Sequence, residues 1–133
     1  MKPNDRNVAY CIENKDFIAE LLERRGGWQE GDWFILQETG SILLTDSWWL
    51  YDHSLKRDSE DRVWLPSVDD ALEMLEARGC TPQLLSLKLK SLGGNIMRWL
   101  ATDAVIMVPD VKECHGTPLI ALLELLQMVE VKG

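Results

Sequence analysis

The chain holds two histidines, and each has a neighbour that could lend it chemistry. Asp52 precedes His53, and a carboxylate can orient an imidazole for base catalysis. Neighbours on an extended strand point to opposite faces, so an orienting carboxylate has to come from elsewhere in the chain. Cys114 precedes His115, and a thiolate–imidazole couple likewise needs its two side chains to converge in space. Cys80, Cys114, His115 and His53 would make a zinc site only if the fold gathered at least three of them, and their spacing gives no sign of that. No metal and no cofactor are expected. The carboxylates Asp58, Glu60 and Asp61 lack the oxygen-ligand spacing and glycine of a calcium loop. Asp69 and Asp70 fall where a helix begins, and the helix dipole favours acids there for structural reasons. The phosphate-cradling, dinucleotide, zinc-protease and nucleophile-elbow signatures are all missing, which argues against an enzyme of a standard class.

The densest chemistry is TDSWWLYDH, residues 45–53. Read as a strand, it turns Trp48 and Leu50 one way and Trp49 and Tyr51 the other. Aromatic rings on both faces suit a sheet covered on both sides. The functional alternative leaves one face exposed as an anchor for a partner, because Trp and Tyr dominate binding hot spots. Six tryptophans, five of them between 28 and 64, favour considering it.

Charge sharpens that alternative. The net charge is −8, and residues 29–70 hold ten acids against Lys56, Arg57 and Arg62. This balance argues against direct nucleic-acid binding, which needs a basic stripe. It suits a basic protein partner, or a solvated acidic face that serves solubility. The N-terminal residues lack the apolar core of a signal peptide, and no run approaches the roughly 20 apolar residues that span a bilayer. Three cysteines without a C-x-x-C pair fit reduced thiols in a cytoplasmic protein.

The elements that must position these residues follow from caps and periodicity. Asn14 starts a helix to Arg25 with Phe17, Ile18, Leu21 and Leu22 on one face and Gly26 as its stop. Ser67 and Asp70 make a capping box before a helix that runs toward Gly79. Thr117-Pro118 opens a third helix over about 118–130, apolar on most sides, which is either deeply packed or meets a second copy. Leu119, Leu122, Leu126 and Val129 are the candidates for such a homodimer contact. Strand-like runs lie at 32–37, 42–45, 85–90, 96–100 and 104–108, with turns at 38–41 and 93–95. The runs at 32–37 and 104–108 are apolar on both faces, whereas Leu85, Leu87 and Leu89 alternate with polar residues. Residues 53–62 form a polar loop. Helices alternate with hairpins, so the expected fold is one α+β domain over 1–133. It has a mainly antiparallel or mixed sheet and about three helices on both faces, an α/β/α sandwich.

Val63–Glu76, VWLPSVDDALEMLE, resembles a segment of small uncharacterised proteins of bacteria and their phages. In these a strand ending in Trp-Leu-Pro leads into a helix that opens on acids. Gly116–Leu126, GTPLIALLELL, resembles their final helix. The resemblance covers these two segments and implies a small α/β/α sandwich without a known activity.

Two functions follow as expectations. The first is an acidic cytoplasmic interaction module, anchored by Trp48, Trp49 and Tyr51, with Asp58, Glu60 and Asp61 steering a basic partner. The second is a small enzyme or ligand-binding domain built around His53 or His115 with nearby carboxylates.

Overall fold

The computed structural model describes residues 3–46, 62–102 and 114–132. The chain packs as two compact units, Met1–Pro66 and Ser67–Gly133. The reading of 1–133 as one domain stays an expectation beside that division. The class is α+β, with four helices and two antiparallel sheets, of three and two strands, among the described residues.

The N-terminal unit opens with a helix that was not expected, α1 (Asp5–Glu13). Asn4 caps it, its Oδ1 accepting the Asn7 amide at 2.9 Å, and Val8 and Cys11 turn one face inward. Asn14 then serves two helices. Its backbone amide and its carboxamide both donate to Tyr10 O, at 3.0 and 2.9 Å, closing α1. Its carbonyl accepts Ile18 N to start α2 (Lys15–Arg25). The expected cap is therefore in place, but its side chain reaches back to the helix before it, and α2 has no side-chain cap. Gly26, at φ 106°, ends α2 as expected. Its left-handed backbone turns the amides of Gly26 and Gly27 back onto Glu23 O and Leu22 O.

The three strands of this unit are β1 (Trp33–Leu36), β2 (Ser41–Leu44) and β3 (Arg62–Leu65), in the order β2-β1-β3. The turn between β1 and β2 is closed by Gly40 N to Leu36 O at 2.7 Å. Register pairs Phe34 with Trp64 and Ile35 with Val63, so these pairs lie on opposite faces. All four side chains are buried, as expected of a run apolar on both faces. A buried side chain of Phe size contributes roughly 3 kcal/mol of transfer free energy. Both α1 and α2 pack on β3.

Unit two begins with α3 (Val68–Ala77), where the capping box is complete. Ser67 Oγ accepts the Asp70 amide at 3.1 Å, and Asp70 Oδ2 accepts the Ser67 amide at 2.8 Å. Ala71, Met74 and Leu75, at helical spacing, form its buried face. Strands β4 (Gln83–Ser91) and β5 (Gly94–Thr102) then make a long hairpin, pairing Leu85 with Leu100, Leu87 with Arg98 and Leu89 with Ile96. Exposure alternates along β4, as its Leu/polar alternation indicates. After residues 103–113 the chain returns beside β5, where His115 and Trp99 exchange backbone hydrogen bonds. Helix α4 (Pro118–Lys132) follows, with Thr117 Oγ1 accepting the Ile120 amide at 3.1 Å. It packs on α3 and on the hairpin, chiefly on β5. Among the described residues, no helix is long and apolar enough to cross a membrane.

Candidate functional site

The C-terminal unit holds a cavity of about 350 Å³ beside β5 and α4, lined by Leu100, Ala101, Thr102, His115, Ala121, Glu124, Leu125 and Met128. Each element contributes for a local reason. Leu100, Ala101 and Thr102 are the last three residues of β5, and the end of that strand forms one wall. His115 is held by its backbone exchange with Trp99, Trp99 N donating to His115 O at 2.7 Å. Capped by Thr117 and started at Pro118, α4 brings Ala121, Glu124, Leu125 and Met128 to one side at spacings of three and four. The result is an apolar chamber with one imidazole and one carboxylate in its wall. Its volume lies at the small end of the roughly 300–1,000 Å³ typical of ligand pockets.

His115 thus lines the cavity, while His53, the other histidine of the second reading, lies outside the described residues. The carboxylate that shares the wall is Glu124, a polar residue of α4 that the sequence reading did not single out as a site. The signal that could have found it is its position as a polar residue inside an otherwise apolar helical run. Cys114 is buried and does not line the cavity. Its carbonyl accepts Arg98 Nη2 at 3.0 Å, so this residue serves to hold the returning chain. Asp70 is taken up by the capping box.

All three cysteines are free thiols, Cys11 and Cys114 buried and Cys80 half-buried. Burial pushes the Cys11 thiol up to about 12 from its ordinary 9.0, which leaves it an uncharged core group. Among the described residues no cluster of His, Cys, Asp and Glu is arranged to hold a metal ion.

Trp48, Trp49, Tyr51, His53, Asp58, Glu60 and Asp61 lie outside the described residues, as does the expected strand at 104–108. The candidates for self-association divide. Leu119, Leu122 and Leu126 are buried within the chain, and Val129 is half-buried. Deep packing on α3 and the hairpin thereby accounts for the apolar character of α4.

A second polar group was not expected at all. In the N-terminal unit the Arg25 guanidinium donates to Asp32 through both Nη atoms, Nη1 to Oδ1 at 3.1 Å, and also to Gly27 O. The Gln29 amide donates to Asp32 Oδ2 at 2.8 Å. The guanidinium lies over the Trp64 ring, 4.2 Å from its centroid, and Trp28 meets Phe34 edge-on at 5.6 Å. With side-chain exposures of 11% and 7%, the ion pair is a lock on the α2–β1 connection and offers no open binding surface. Neither protein-family models, nor curated proteins, nor solved structures give a match to this chain.

Proposed function

We propose that the protein is a small interaction module whose C-terminal cavity receives an apolar side chain of a protein partner. The observation that carries this reading is the cavity itself. Its walls are mainly apolar, its volume suits one large side chain, and the half-exposed Met128 stands on its lining. Anchor-in-pocket contacts of that kind dominate protein interfaces energetically. The acidic, Trp-rich middle region is a separate candidate for partner contact, with Trp48, Trp49 and Tyr51 as anchors and Asp58, Glu60 and Asp61 steering a basic partner. Three free thiols are in keeping with a reducing, cytoplasmic setting, and the resemblance at Val63–Glu76 supports a phage-type origin.

The test is affinity capture with wild type, Met128→Asp and Trp49→Ala as baits, each first checked for an unchanged melting temperature. A common partner lost with both folded variants supports the reading. A partner retained by both sinks it.

A second reading rests on His115 and Glu124 sharing the cavity wall. An imidazole and a carboxylate in an apolar chamber also suit a small-molecule ligand, or proton transfer on one. It predicts a ligand whose stabilising effect disappears in both His115→Ala and Glu124→Gln.

A further inference from the structure

The β4–β5 hairpin stands apart from the rest of the chain in charge. Residues 77–102 contain Arg78, Lys88, Lys90 and Arg98 and no acid, in a chain of net charge −8. Lys88 and Lys90 are exposed, and they lie on the face of the hairpin that also carries Met97 and Trp99. The opposite face carries Leu85, Leu87 and Leu89, all half-buried, beside the exposed Ile96. Leu92, in the two-residue turn, is fully exposed at 111%.

The two edges of this hairpin differ. Trp99 uses its backbone amide and carbonyl on His115, so part of the outer edge of β5 is occupied. That exchange also fixes the direction of the backbone groups along β4. Trp99 faces Ser86 in the ladder, and a residue whose two backbone groups point outward faces one whose groups also point outward. With an unbroken register, the amides and carbonyls of Leu84, Ser86, Lys88 and Lys90 therefore point away from β5. These four residues are exposed, and the described sheet contains no third strand beside β4. The edge is a row of donors and acceptors with two lysines on one side and a leucine stripe on the other.

We propose that the outer edge of β4 takes an extended segment of a protein partner, with acidic and apolar residues in alternation, as a third antiparallel or parallel strand. Backbone groups at Leu84, Ser86, Lys88 and Lys90 pair with the incoming chain. Its acids lie opposite Lys88 and Lys90, and its apolar residues extend the Leu85–Leu87–Leu89 stripe. The charge pattern selects the occupant. A second copy of β4 would bring like charges together, which edge lysines ordinarily prevent, whereas an acidic strand meets opposite charge at both positions. This inference rests on the reading of the chain as an interaction module, but it uses a surface separate from the cavity.

The experiment titrates the full chain into a short fluorescein-labelled peptide that alternates valine and glutamate, and follows anisotropy. A peptide alternating valine and lysine is the control. The glutamate peptide binds and the lysine peptide does not. Lys88→Glu with Lys90→Glu weakens the glutamate peptide by about tenfold or more and admits the lysine peptide. Ser86→Pro, which removes an outward amide but no β4–β5 bond, weakens binding comparably with the hairpin intact by circular dichroism. Met128→Asp leaves peptide affinity unchanged, so failure of the cavity reading is separable from failure of this one. Equal binding of the two peptides, no binding by a folded wild type, or insensitivity to Ser86→Pro overturns the proposal. So does a dimer in sedimentation that Ser86→Pro dissociates, because a second copy then occupies the edge.

Discussion

Replacing Asp32 with alanine tests the physical account of the N-terminal unit most directly. The substitution removes a carboxylate that accepts from both Nη atoms of Arg25 and from the Gln29 amide, at a site with 7% side-chain exposure. The guanidinium would keep Trp64 and the Gly27 carbonyl but lose the carboxylate that accepts from both its Nη atoms. Breaking a buried pair by deleting one member costs about 3–5 kcal/mol, because desolvation of the survivor is no longer offset. On a chain of this size that is a fall of about 11–18 °C in melting temperature. Arg25→Met leaves Asp32 as the unbalanced member, with the Gln29 amide still donating to it and an apolar stem kept on the Trp64 ring, so its cost is comparable, about 3 kcal/mol. The double variant has no uncompensated charge and loses about 2 kcal/mol less than the two single losses together. Urea unfolding followed by far-ultraviolet circular dichroism measures all three. An Asp32→Ala loss below about 1 kcal/mol, or strict additivity in the double variant, would refute the assignment of this pair as a buried lock.

Two further outcomes follow from the local structure. Ser67→Ala removes one half of the capping box and costs about 1 kcal/mol, and Ser67→Asp, which can still accept the Asp70 amide, recovers part of it in the same urea assay. Cys11 keeps its proton in the folded state up to about pH 12, whereas the unfolded chain releases it near the ordinary 9.0. The folded state therefore binds more protons in that window, and the Cys11 contribution to stability falls as pH rises from about 9 toward 12. Cys11→Ala flattens that slope, and at neutral pH a thiol reagent modifies half-buried Cys80 before Cys11.

Local chemistry was the part legible in advance. Ser67 with Asp70, Thr117 with Pro118, and Gly26 after Arg25 each carry their reason within a few residues, and each sits where the spacing puts it. The alternation at Leu85, Leu87 and Leu89 and the doubly apolar run around Phe34 likewise state their burial in their own pattern. Helix α1 was missed although Asn4, Val8 and Cys11 mark it. Asn14 looks like a beginning, and nothing in its identity shows that it also ends the helix before it.

What only the tertiary structure decided are meetings of residues that have no reason to meet in one dimension. Arg25 seen alone is a cation suited to a helix end, and Asp32 is an acid before a strand. Only antiparallel pairing of β1 with β3 brings Trp64 under the guanidinium and makes the three a buried lock. His115 and Glu124 are likewise a strand residue and a helix residue until α4 packs on β5 and gives them a shared cavity. The outward direction of Leu84, Ser86, Lys88 and Lys90 follows from how β4 pairs with β5, and the Trp99–His115 exchange reveals it. Caps, turns and periodicity act over a few residues, so the sequence itself determines them. Pairing and packing depend on which surfaces exclude water together, and that choice is made by the whole fold.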